Sequence, residues 1–267
     1  MTLFHIALVA IVQGITEFLP ISSSGHLILL PQLTGLEDQG LLVDVSVHFG
    51  TLFAVVLFFW PDMRDAILGL PRLVRGRADT PGARLALYLI LATIPVLLAG
   101  GILHVTGLLE AMRSIAVIGW TMLLFGLLLW WVDQRGGTER DGDGWTWKDA
   151  LIMGLWQILA LIPGTSRSGI TITAARHLGY DRESAARLAM LMSVPVILGG
   201  TIFFSIEAVL QQPSARLLDC VIAAALAFLA ALAALKCMMM LLKSLSFTPY
   251  VVYRVALGIV LLAVAYS

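Results

Sequence analysis

Leu161-Ile162-Pro163-Gly164-Thr165-Ser166-Arg167-Ser168-Gly169 sets an arginine, hydroxyls, glycines and a proline inside sequence that is apolar on both sides. A charge at membrane depth costs roughly 2.5–3.5 kcal/mol on insertion scales, so such a residue marks function by default. The run is a poor spanning helix and a good cradle for an anion. A second run of the same kind lies far upstream, Pro20-Ile21-Ser22-Ser23-Ser24-Gly25-His26, preceded by Glu17. The two broken polar loops decide how the rest of the chain is read.

Of 267 residues, 59% are hydrophobic and 13% charged. Soluble domains carry about 25% charged residues, so this is a polytopic membrane protein. The formal net charge is zero, which argues against nucleic acid as a partner. Met1 to His5 carries no basic region and Glu17 interrupts the apolar run that follows, so the N-terminus reads as retained rather than as a signal peptide. Cys220 and Cys237 are far apart and read as inert thiols in apolar helices.

A spanning helix needs about 20 mostly apolar residues. Six stretches qualify: Leu41–Trp60, Leu85–His104, Ser114–Val132, Ala185–Ala208, Leu217–Lys236 and Tyr250–Tyr266. The regions Leu3–Leu33 and Ala150–Leu178 carry the broken loops and read as re-entrant helical hairpins. The segment Pro61–Arg84 carries Arg64, Arg72, Arg75, Arg77 and Arg84, and is read as a loop. Basic residues also mark Asp133–Asp149 and the cluster Arg176, Arg182 and Arg187, whereas the opposite connections carry chiefly Arg113 and Arg216. Basic loops stay cytoplasmic, which places both termini outside.

The halves echo each other. Gln13 lies nine residues before Ser22, and Gln157 nine before Ser166. Gly50-Thr51-Leu52-Phe53 corresponds to Gly200-Thr201-Ile202-Phe203. One hairpin plus three spans per half makes the halves, 1–132 and 133–267, run in opposite directions within a single integral domain. The expected fold is therefore an all-α inverted-topology repeat, whose sites lie near the midplane where broken helices meet.

Gln13 and Glu17 share a helix face at i,i+4 spacing, and Pro20 ends that helix. Ser22, Ser23 and Ser24 can cap a return helix beginning near His26. Free N–H groups at such a start suit phosphate. Thr165, Ser166 and Ser168 do the same in the second loop, where Arg167 adds a fork for phosphate oxygens. Glu17, with Gln13 as a neutral oxygen, suits Mg²⁺ held against phosphates; alternatively Glu17 is a general base and His26 a proton carrier. A serine beside Arg167 is a nucleophile or a phosphate ligand. Against these stands a buried Glu17–Arg167 ion pair that serves only the fold. Asp44 and His48 either line the cavity or orient the first hairpin. Pro195 and Gly199-Gly200 read as a kink and packing, Met238-Met239-Met240 as lipid-facing or core filler, and Trp120, Trp130, Trp131, Trp145 and Trp147 as interfacial anchors.

At these residues the chain resembles the bacterial undecaprenyl-pyrophosphate phosphatase family of the bacitracin-resistance type. Three segments carry the resemblance: Gln13 to Pro20, Ile21 to His26, and Pro163 to Gly169. They match that family's Glu/Gln-xxx-Glu motif, its serine-rich Gly-His turn and its Pro-Gly-x-Ser-Arg-Ser-Gly motif. Here the first motif position is Gln13, which carries no charge.

The resemblance implies a multi-pass enzyme of the bacterial inner membrane whose site opens to the periplasm. Its reaction would be hydrolysis of undecaprenyl pyrophosphate to undecaprenyl phosphate and inorganic phosphate. That would recycle the carrier lipid for peptidoglycan synthesis and confer bacitracin resistance. Glu17, Ser23, His26 and Arg167 are the catalytic candidates. Ser22, Ser24, Gly25, Thr165, Ser166, Ser168 and Gly169 would bind phosphate, and Glu17 and Gln13 would hold Mg²⁺ or Ca²⁺. Expected partners are the pyrophosphate lipid and membrane lipid, with a homodimer left open. The rival reading is a polyprenyl-phosphate flippase or secondary transporter using the same anion site.

Overall fold

The computed structural model describes residues 1–137, 139–211 and 217–267, so Arg216 lies outside the described residues. The first helices are α1 (Leu3–Thr16), α2 (Ser23–Thr34), α3 (Leu41–Phe58) and α4 (Trp60–Val74). Then come α5 (Pro81–Val105), α6 (Leu108–Ala111) and α7 (Ile115–Arg135). The chain closes with α8 (Trp147–Gln157), α9 (Arg167–His177), α10 (Arg182–Gln211), α11 (Leu217–Leu242) and α12 (Thr248–Tyr266). No strand occurs among the described residues, which hold only an isolated bridge between Arg140 and Tyr180.

Six of these helices, α3, α5, α7, α10, α11 and α12, are long and apolar enough to cross a membrane. They coincide with the six stretches expected: α3 ends two residues earlier, at Phe58, and the other five run past the expected bounds at one or both ends, α11 as far as Leu242. Local chemistry sets several of those ends. Thr80 caps α5 through the Ala83 N–H and Pro81 opens it, while Thr146 and Asp149 form a reciprocal capping box on α8.

The two broken regions are pairs of short helices, α1–α2 and α8–α9, of 14, 12, 11 and 11 residues. None approaches the roughly 20 residues of a span. The return helix of the first pair starts at Ser23, three residues before the expected His26. Pro61–Arg84 is not simply a loop, because it holds the first turn of α5 and all of α4 but Trp60. Its glycine Gly69 lies against Gly82 and Ala83 of α5, so a side chain there would meet backbone.

Helix pairing follows an exchange pattern. α1 packs on α11 as α8 packs on α5, while α3 meets α10 and α7 meets α12. Close approach in the first two pairs depends on glycine. A Cβ on Gly14 would lie 2.6 Å from the Ala227 carbonyl oxygen of α11, and one on Gly154 2.5 Å from that of Ala92 in α5. Small residues let backbones meet where lipid leaves no hydrophobic force between helices.

Charges expected only to orient the chain also tie its basic face together. Asp133 is buried and accepts from Nε of Arg176 at 3.0 Å and Nε of Arg182 at 2.9 Å. Arg187 pairs with Asp62 of α4. Trp145 is buried against Tyr88, unlike Trp120, Trp130, Trp131 and Trp147, which are exposed as expected of anchors. Met238 is buried and Met240 exposed, so the methionine run is both core and surface.

Asp149 accepts from Arg140 Nη2 at 2.7 Å, from Tyr180 Oη at 2.8 Å and from Thr146 Oγ1 at 2.7 Å. Burial pushes its carboxyl up, but these hydrogen bonds outweigh burial and hold it below the ordinary value of 3.8. The stability it contributes is therefore complete above that value and is lost as pH falls through the lower folded one. Arg140→Ala should cost about 1–3 kcal/mol. It should also move acid unfolding to higher pH, read by tryptophan fluorescence in detergent.

Candidate functional site

Both polar loops are helix starts built on the same device. Ser22 Oγ accepts from the Gly25 N–H at 3.3 Å, and Ser166 Oγ accepts from the Gly169 N–H at 3.0 Å. In each loop the capping hydroxyl also meets a serine two residues on, Ser24 at 3.4 Å and Ser168 at 3.1 Å. Ser22 and Ser166 are the non-glycine residues with positive φ among those described, at 73° and 71°. Such backbone costs roughly 1–3 kcal/mol and clusters at ligand clamps and active sites.

The loops touch. Ser168 Oγ donates to the Leu19 carbonyl at 2.9 Å, and Arg167 Nη2 donates to Glu17 Oε1 at 2.8 Å. Glu17 ends α1 and is nearly buried. Its second oxygen, Oε2, accepts from Ser23 Oγ at 2.5 Å and from Gln13 Nε2 at 2.9 Å, with His48 Nε2 3.9 Å away. Arg167 Nη1 is buried and has no partner. The pair with Glu17 thus leaves one donor of a cleft-lining guanidinium unused, a donor that is covered in this state.

A cleft of about 360 Å³ opens onto this cluster. Glu17, Ser22, Ser23, Ser24, Ser166 and Arg167 line it, together with Asp44 and His48 of α3 and Gly200 and Thr201 of α10. Asp44 and His48 therefore belong to the cavity. Gly200 does not serve packing, since a Cβ there would meet nothing within 4 Å.

The remaining candidates sit behind the cleft. Gln13 and Thr165 are fully buried, and Gln13 Oε1 and Thr165 Oγ1 lack partners. Gly25, Ser168 and Gly169 serve the caps and the contact between loops. His26 does not line the cleft. Its Nδ1 lies 2.7 Å from the Ser22 carbonyl, its Nε2 lies 2.6 Å from Tyr253 Oη, and its ring stacks on Tyr253.

The sequence matches the family described as Bacitracin resistance protein BacA over residues 6–260. The chain belongs to the BacA family. Full-length relatives include the undecaprenyl-diphosphatase of Jannaschia sp. (strain CCS1), 65% identical over 100% of both chains. That of Ruegeria pomeroyi is 62% identical over the same extent. Undecaprenyl-diphosphatase 1 of Rhodospirillum rubrum is 46% identical over 100% of this chain and 96% of its own.

In this BacA-family chain one residue of the site escaped the sequence reading. Arg254 of α12 is fully buried and has no acidic partner among the described residues. Its Nη2 donates to the carbonyls of Thr165 at 2.8 Å, Gly164 at 3.2 Å and Thr121 at 3.3 Å, and its Nη1 to that of Pro20 at 3.3 Å. One guanidinium thus fastens both loops. The signal was present, because Arg254 is a charge inside an apolar span, as Arg167 is within its loop. Thr121 adds a second fastening, donating to the Pro163 carbonyl at 2.6 Å.

Arg254→Met should remove about 1.5–3 kcal/mol of local stability, the worth of a hydrogen bond to a charged group. Hydrogen exchange of the loop amides around Ser23 and Arg167 should then speed up roughly ten- to a hundredfold while the six long helices stay protected.

Proposed function

We propose that the protein is an integral phosphatase of the bacterial inner membrane that hydrolyses undecaprenyl pyrophosphate to undecaprenyl phosphate and inorganic phosphate. The observation that carries this reading is the chain of contacts from Ser23 Oγ to Glu17 to Arg167 at the floor of the cleft. Its products regenerate the carrier lipid for cell-wall synthesis and remove the pyrophosphate form that bacitracin binds, in line with the family's name.

Ser23 is the nucleophile. Its Oγ already donates to Glu17 Oε2, so Glu17 can take the proton as Oγ attacks the terminal phosphorus. The bridging P–O bond breaks and the lipid monophosphate leaves. Water then cleaves the phosphoserine, releasing inorganic phosphate and restoring the hydroxyl. Arg167 keeps Glu17 aimed through Nη2 and offers Nη1 to a phosphate oxygen. The N–H groups at the starts of α2 and α9 share the negative charge that develops. His26 acts as a positioning residue, bridging the Ser22 carbonyl and Tyr253 from behind the loop.

The donor set fits Mg²⁺ better than a cation needing a full protein cage. No group of three or more His, Cys, Asp or Glu side chains that could hold a metal occurs among the described residues. Mg²⁺ takes one or two carboxylates and completes its shell with phosphate oxygens and water. Glu17, which lines the cleft, would supply the carboxylate, and Gln13 Oε1, an unpartnered buried acceptor just behind it, would face the ion from the protein side. Held there with substrate, the ion would offset pyrophosphate charge.

The exchange of helix pairs and the matching serines Ser22 and Ser166 support an inverted repeat of residues 1–132 and 133–267, with α1–α2 and α8–α9 as re-entrant hairpins. The basic segments, cytoplasmic by charge, then leave the cleft open to the periplasm.

Purified protein in detergent should release inorganic phosphate from undecaprenyl pyrophosphate; transport without hydrolysis would instead support a flippase. Arg167→Lys cannot span Glu17 and a phosphate with one planar fork, so turnover should fall on the order of 10²–10³-fold while the protein still purifies. Gln13→Glu should lower the Mg²⁺ concentration needed for half-maximal activity, since it adds a charged ligand. An unchanged metal titration would remove Gln13 from the ion's shell.

A further inference from the structure

The polar cleft accounts for the pyrophosphate end of the substrate and for none of its apolar chain. A second cavity, of about 410 Å³, lies between α3, α4, α5 and α10 and presents no polar surface. It is open sideways, since Phe49, Phe53, Ile67 and Leu198 on its walls are each more than two-fifths exposed.

Its place relative to the cleft is set by helix periodicity. On α3, Val45 lines the cleft, while Phe49, Leu52 and Val56 line the apolar groove. These positions are spaced four, three and four residues apart, which is one uninterrupted helix stripe. On α10, Thr201 and Ile197 line the cleft and Val194 the groove, again at spacings of four and three. The two helices pack together, so both stripes run side by side from the polar site into the groove. From Val45 to Val56 the path is about 16 Å long at the helix rise per residue. Pro195, read from sequence as a kink alone, forms part of the groove wall.

We infer that the α3–α10 groove binds the isoprenoid units next to the pyrophosphate and sets the enzyme's preference for long-chain substrates. This rests on the phosphatase reading above. The occupant is the substrate's own chain rather than bulk lipid, because the groove continues the faces that line the cleft. Beyond His48 the α3 side chains that line the groove, Phe49, Leu52, Phe53 and Val56, are all apolar. Apolar burial there would add binding energy that a short-chain pyrophosphate cannot obtain.

The test compares phosphate release from pyrophosphates of one, three and eleven isoprene units, using detergent-purified protein. The one-unit compound is too short to leave the cleft. Leu198→Trp and Phe53→Trp each narrow the groove from an exposed wall, away from Ser23, Glu17 and Arg167. In either variant kcat/KM for the three- and eleven-unit substrates should fall roughly tenfold, mainly through KM, as expected for a misfit in an apolar pocket. One-unit kinetics should be unchanged. An unaltered chain-length profile in both variants, or equal loss for all three substrates, overturns the inference. A readout independent of turnover is photolabelling with an isoprenoid monophosphate carrying a diazirine on its second unit. Adducts on α3 between Phe49 and Val56 and on α10 near Val194 support the groove, and adducts scattered over the lipid-facing helices sink it. Labelled groove residues in a wild-type protein that releases no phosphate would overturn the phosphatase reading and leave the groove standing.

Discussion

Helices that stop inside an apolar body leave carbonyls and N–H groups with no intrahelical partner, and in lipid no water replaces it. Here the guanidinium of Arg254 meets that need. It reaches Pro20 of the first loop and Gly164 and Thr165 of the second from a third element, α12. An arginine suits the task because it offers five donors in a rigid fork. Bonding to carbonyls rather than to a carboxylate leaves its charge unneutralised. The positive field therefore persists beside two helix starts whose own N–H groups are positive. The fold and the candidate site depend on the same group.

That background gives the Glu17–Arg167 pair its chemical meaning. A buried ion pair alone is weak evidence for function, because desolvation often cancels its attraction. This pair differs in being unfinished. Glu17 shares its second oxygen with Ser23 and Gln13, and Arg167 keeps one nitrogen idle. It also faces a cleft rather than closed packing. The strained serines Ser22 and Ser166 sit on either side, held by caps and by contact between the loops. Donors held in place in this way suit an oxyanion.

Much of the architecture was legible from composition and local chemistry. The six long helices follow from runs of about 20 apolar residues, and the broken pairs from Pro20, Pro163 and the serine clusters between them. α4 escapes a reading of hydropathy alone because an amphipathic segment with Asp62, Arg64, Asp65 and Arg72 and with Pro61 and Pro71 resembles a charged loop. Trp145 was misplaced as an anchor because aromatic enrichment at interfaces says nothing about one ring, and this one packs against Tyr88. Arg176 and Arg182 followed the charge rule, yet they also converge on buried Asp133. Pairing between residues 43 and 49 positions apart leaves no periodic trace.

The sequence by itself determined the class of the protein, the positions of its two polar loops and the hydroxyl, glycine and arginine side chains gathered there. These are properties of neighbouring residues: hydrophobic run length, capping chemistry and the cost of charge in lipid. Only the tertiary structure decided which candidates share a cleft. It brought Asp44 and His48 beside Glu17, turned His26 away toward Tyr253 and put Arg254 behind both loops. Those outcomes depend on which helix faces meet. In an apolar medium, helix contact is selected by small residues such as Gly14 and Gly154 and by a few buried polar bonds, with no hydrophobic force to favour one face over another.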